Sequence, residues 1–204
     1  MIKTHGTNVT SAHYSRMGQQ ECEKIHLASI EILERVGIDV HDEKARELLV
    51  SAGGNLDGIR VRLPEFLVNK ALLTVPKQIK LYDRNGRVAI RAGGYNSYFG
   101  GGSDCLNILD HKTGKRRKPT LEDVANATRL MDALPEIDFV MSAFLPEDVD
   151  ARIYDRFQME VMLNNTMKPI VFVTPDFDGC VTAVEMCELV AGSAEAFQRK
   201  PFAT

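Results

Sequence analysis

Residues 137–142 read IDFVMS, and residues 169–174 read PIVFVT. Each is a short, nearly unbroken apolar run, the pattern of a strand buried on both faces. Their starts, 137 and 169, are about thirty residues apart. An amphipathic stretch over 149–163, with Tyr154, Phe157 and Val161 on one face, fills the interval. Pro201-Phe202 begins another run after a similar distance. Strand, helix and strand at this period predict βα units on a parallel sheet, with right-handed crossovers. The fold class is therefore α/β. Two closures fit it, a doubly wound open sheet and a (β/α)8 barrel.

Working outward, Thr120 opens a helix with Asp123 three residues on, a shortened capping box, and Pro135 stops it. Upstream, residues 96–100 form a strand that runs into Gly100-Gly101-Gly102. Residues 105–109 form another, closed by a turn at 112–114. Downstream, a helix over 180–191 stops at Gly192. Residues 1–92 differ in texture. Helices are expected over 19–36, from Asp42 to Gly53-Gly54, and over 64–73, with Ile25, Ala28, Ile32 and Val36 as the inner stripe of the first. Short strands are expected at 59–62, 79–82 and 88–91, the last two joined by a type I′ turn at Asn85-Gly86. The organisation reads as an α+β N-terminal extension, 1–92, followed by α/β repeats over 93–204.

Composition narrows function by exclusion. With 25 Lys plus Arg against 28 Asp plus Glu, the net charge of −3 offers no basic footprint for nucleic acid. No run of about 18 apolar residues suits a membrane span, and the first twenty residues lack an apolar leader core, so a cytoplasmic chain is expected. Cys22, Cys105, Cys180 and Cys187 lack zinc-site spacing, and Cys180 and Cys187 read as small buried side chains. The five histidines show no ligand spacing, and His26 reads as packed within its helix. No metal site is expected. The basic run over 112–118 reads as a solvated turn, and the Asn164-Asn165-Thr166 match as a helix end.

Candidate ligand residues cluster at expected strand ends, where parallel α/β folds collect ligands. Gly101, Ser103 and Asp104 belong to a glycine-rich loop that brings backbone close to a small ligand. Its spacing matches neither dinucleotide nor P-loop patterns, which counts against a nucleotide-binding domain. Ser142, Phe144 and Thr174 end their strands, where backbone capping is an equal explanation for the two hydroxyls. Tyr98 and Phe99 precede the loop. Aromatic faces hold quaternary ammonium ions, but neighbouring strand residues point to opposite faces, so only one of the two can line a given cavity. Asp176 and Asp178 flank Phe177, where helix N-capping explains one of them.

Four stretches carry a family resemblance: HLASIEILERVGIDVHDEKARELL (26–49), the segment 98–149 beginning YFGGGSDCLNILDHKTG, MLNNTMKPIVFVT (162–174) and VEMCELVAGSAEAFQRKPF (184–202). Together they resemble the trimethylamine methyltransferase (MttB) family across nearly the whole chain. The resemblance implies a (β/α)8 barrel after an N-terminal extension. It implies methyl transfer from a tertiary or quaternary amine, such as trimethylamine or glycine betaine, to a cognate corrinoid protein. The corrinoid (cobalamin) is then supplied by that partner, with Co(I) as nucleophile, and none is bound tightly by this chain. No catalytic residue carries over. A complete barrel needs about 250 residues. The 204 residues are therefore expected to hold the extension and three to four βα units of a truncated barrel, stopping where a fourth strand is due. Such a fragment is expected to form a homo-oligomer. The alternative is a non-catalytic remnant that binds a small quaternary amine or a partner chain.

Overall fold

The computed structural model describes residues 14–204. They divide into two compact units, the described residues up to Lys77 and Gln78–Thr204. The boundary expected at 92/93 falls inside the second unit.

In the first unit, α1 (Gln19–Arg35) ends where Val36 and Gly37 both donate to the Ile32 carbonyl. Gly37 takes a φ of +79°, and a Cβ there would collide with the Val61 carbonyl, so glycine is required. β1 (Ile38–Asp39) leads to α2 (Glu43–Ser51), capped by Asp42 accepting from Ala45 N at 2.7 Å. β2 (Asn55–Asp57) and β3 (Arg60–Arg62) follow, then α3 (Glu65–Thr74) with Pro64 as its N-cap. The strands form an antiparallel sheet in the order β1-β3-β2, with Val61 paired to both Ile38 and Leu56. Val61 and Ile30 are the buried apolar centre. The stripe expected to face inward on α1 does not: Ile25, Ala28, Ile32 and Val36 are exposed, and so is His26. Burial of Ile30 turns the helix by part of a turn from the simple apolar count.

The second unit opens with a hairpin, β4 (Ile79–Tyr82) and β5 (Val88–Ala92), which buries the facing pair Leu81 and Ile90. Its turn differs from the expected type I′. Gly86 N bonds to Asp83 O, Asp83 Oδ1 accepts from Asn85 N and Arg87 N, and among these turn residues only Gly86 has positive φ. That is a longer loop built on the Asp83 side chain, with a register shift at Leu81/Tyr82.

Next come a small hairpin, β6 (Ile108–Leu109) with β7 (Arg116–Arg117), and four helices. These are α4 (Leu121–Ala133), α5 (Tyr154–Asn165), α6 (Phe177–Ala191) and α7 (Ala194–Arg199). α4 carries the expected capping box, with Thr120 N donating to Asp123 Oδ2 at 2.8 Å. α5 starts at Tyr154 and not at 149. Its buried face is Asp155, Gln158, Met159, Met162 and Leu163, displacing the expected Tyr154, Phe157 and Val161. α6 is capped by Asp176 and stopped by Gly192 at φ +91°. Ser193 caps α7, a short helix absent from the sequence reading.

The helices alternate with four parallel segments. Bridges join Gly100 to Phe139, Cys105 to Phe144, Val140 to Ile170, and Ile170 to Ala203. Neighbours in space are neighbours in sequence, with α4, α5 and then α6–α7 as the intervening connections. The core beneath them is Val140, Met159, Met162, Leu163, Ile170, Ala183, Cys187, Phe202 and Ala203. Cys187 is buried as expected, whereas Cys180 is exposed. The described residues thus form a mixed α/β protein, and their three hydrogen-bonded sheets are small and open.

Candidate functional site

The glycine run after Phe99 has two separate causes. A Cβ on Gly100 would fall within the Phe139 ring, and one on Gly101 would meet Met131 Sδ. These two glycines let neighbours pack onto bare backbone. At Gly102 a Cβ would meet nothing within 4 Å, so its backbone stands open to a ligand.

Beyond Gly102 the first parallel segment is stitched to the second. Ala143 N donates to Gly102 O at 3.0 Å, Cys105 N to Ala143 O at 3.0 Å, and Leu145 N to Cys105 O at 3.1 Å. The joint holds the two non-glycine residues with positive φ among the described residues, Asp104 at +64° and Ala143 at +61°. Each such residue costs on the order of 1–2 kcal/mol, and such strain clusters at ligand sites. Phe144 N returns to Ser142 O at 2.7 Å, which closes a tight turn over Ala143. Gln158 locks this turn from α5: it is 2% exposed, and its Nε2 donates to Phe144 O at 2.6 Å.

The first turns of α5 and α6 supply the electrostatics. Tyr154 is half-buried, and its phenol is pushed above its ordinary value by burial first, then by the Asp104 and Asp155 carboxylates. Asp155 is 5% exposed, and neither carboxylate oxygen has a hydrogen-bond partner. It lies against Gly179 in the first turn of α6, where a Cβ would collide with Oδ2. The cap of α6 is already filled, because Gly179 N donates to Asp176 Oδ1 at 2.7 Å. Arg156 approaches Asp176 at 4.0 Å. Among the described residues no group of three His, Cys, Asp or Glu is placed to hold a metal ion.

Of the residues expected at the site, Gly101, Ser103, Asp104, Ser142 and Phe144 come together at this joint. Ser142 is buried; Ser103, Asp104 and Phe144 are half-buried. Thr174 is half-buried and follows the third segment on the same carboxyl edge, two residues before the α6 cap. Tyr98 and Phe99 stand at the other end of the first segment. The Tyr98 hydroxyl accepts from Arg91 N of β5 at 2.9 Å, and Phe99 N donates to Asp138 Oδ2 at 2.8 Å while Phe99 O accepts from Asp138 N at 2.6 Å. Sequence reasoning missed Ala143, Tyr154, Asp155, Gln158 and Gly179. A signal for two of them existed: Asp155 and Gln158 are polar residues three apart on a helix stripe that is otherwise Met and Leu.

Fold and geometry together define an α/β protein whose candidate site lies at the carboxyl ends of parallel segments. The family model described as trimethylamine methyltransferase (MTTB) matches residues 3–204, and the chain belongs to that family. It is 27% identical over 203 residues to trimethylamine methyltransferase MttB of Desulfitobacterium hafniense (strain DSM 10664 / DCB-2), covering 98% of this chain and 41% of the relative. It is 26% identical over 191 residues to the glycine betaine methyltransferase of D. hafniense (strain Y51), covering 92% and 39%. A proline betaine:corrinoid methyltransferase of Eubacterium limosum is 26% identical over 157 residues, covering 74% and 31%. The chain thus spans about two fifths of the length of the first two relatives. No helix among the described residues is long and apolar enough to cross a membrane.

Proposed function

We propose that this chain is part of a methyltransferase that moves a methyl group from a tertiary or quaternary amine, of the trimethylamine or betaine kind, to a corrinoid protein. The observation that carries the reading is the strained joint of residues 102–105 with 142–145 at the carboxyl edge, in a chain of this family. The same proposal makes the parallel segments the opening βα units of a (β/α)8 barrel. Support comes from their order: adjacent segments follow one another along the chain, whereas a doubly wound sheet reverses direction at a switch point.

Methyl transfer from a quaternary nitrogen needs no proton. The N–CH3 bond breaks, its electron pair stays on nitrogen, and a neutral amine leaves. A corrinoid held by a partner protein supplies the cobalt nucleophile that takes the methyl group. This chain's residues bind, orient and dry the substrate. Phe144 offers a ring face to the methylated cation, worth about 0.5–2 kcal/mol. Gly102, Ser103, Asp104, Ser142 and Thr174 line the remainder, with Gly101 packed behind them against Met131, and the Gln158 clamp keeps the 142–144 turn in register.

The test supplies the protein with reduced corrinoid protein and a panel of methylated amines, and follows Co(I) absorbance. Loss of the Co(I) signal with at least one amine is expected. Absorbance unchanged by every amine defeats the methyltransferase reading, and amine binding without transfer favours a non-catalytic binding role.

A further inference from the structure

Asp155 has no work in the fold that explains its position. Its carboxylate is buried and unpartnered, a costly arrangement for an isolated charge. It is not the cap of α6, because Asp176 holds Gly179 N. Nor is it paired with Arg156, its neighbour in sequence, whose guanidinium approaches Asp176. Asp104 likewise forms no ion pair among the described residues, and the guanidinium at this edge, Arg156, reaches Asp176 at 4.0 Å. The fold nevertheless protects this placement. Gly179 leaves out the side chain that would evict the carboxylate, and the N-terminus of the 15-residue α6 favours an anion there.

We infer that Asp155 is the counter-ion of the substrate's methylated ammonium and sets the preference for a cation over a neutral group of equal shape. This rests on the methylated-amine reading above. A quaternary ammonium carries full charge but no N–H. It therefore matches a buried carboxylate to which the protein offers no hydrogen bond.

Calorimetric titration with glycine betaine and with 3,3-dimethylbutanoate, which has carbon in place of nitrogen, isolates the charge. The protein should prefer betaine by about thirtyfold or more, the loss expected when one partner of a buried charge pair is removed. D155N should bring the two ligands to near equality while raising the thermal midpoint, because an unpaired buried charge is gone. G179A keeps the charge but displaces it, and should shrink the preference while circular dichroism stays native. An undiminished preference in a folded D155N, or in a folded G179A if D155N does not fold, overturns the inference and leaves the amine reading standing. If the unaltered protein binds no methylated amine, the functional reading falls and the counter-ion with it.

Discussion

Asp123 shows how much one side chain can organise. Its carboxylate closes the α4 capping box and takes both guanidinium arms of Arg117, at 2.6 and 2.8 Å. Arg117 also reaches Asp110 at 3.0 Å, which ties the β6–β7 hairpin to the helix. The Arg117 contact, with help from Thr120, holds Asp123 down at about 2 against an ordinary 3.8. In the interval between those values the unfolded chain binds a proton that the folded chain refuses. The contribution is therefore complete above about pH 4 and disappears as the pH falls toward 2. D123N should be less stable than the parent at pH 7 and lose less on going to pH 3. Urea midpoints at the two pH values check this, and equal acid losses in both proteins would exclude Asp123 as a source.

At the scale of elements, stops and starts were readable because they depend on local chemistry. Asp42, Thr120 and Asp176 cap helices through their own side chains, and Gly37 and Gly192 end helices with positive φ. G192A should destabilise by about 1 kcal/mol from backbone strain alone, since open space surrounds the position. A thermal melt unchanged by the substitution would mean that the left-handed cap is not needed. Helix faces were less legible. Counting apolar residues put Phe157 and Val161 inward on α5, but the buried side includes Asp155, which lies against Gly179, and Gln158, which is bonded to the Phe144 carbonyl. The carboxyl-edge loops were found by position, while their joint was not. Asp104 is of a type that tolerates a positive φ, but nothing in the residue type of Ala143 announces one, which the pairing of two loops accompanies.

Across the whole molecule, the alternation of strand and helix in the second unit was visible from apolar runs, and the order of the parallel segments follows it. What the sequence could not show is how much apolar surface stays outside. On α6, Phe177 is 80% exposed and Leu189 82%, with Val181 and Val190 also open. Surfaces of this kind ordinarily meet another surface. The 204-residue chain by itself should show sedimentation that increases with concentration, and a single monomeric species at all concentrations would refute the association.

The hairpin β4–β5 is secured by residues made long after it. Tyr82 N bonds to Pro201 O, Arg84 N to Met167 O, and the Arg84 guanidinium to the carbonyls of Leu163 and Thr166. At about 5–20 residues per second, a ribosome takes on the order of ten seconds to travel from one end of the Tyr82–Pro201 pair to the other. During that time the backbone groups of β4 and the Arg84 side chain wait in water, or on a chaperone, for partners that do not yet exist. Docking of the hairpin is thus a late event of synthesis, and slowing translation between codons 92 and 201 lengthens the period in which this edge is open to the wrong strand.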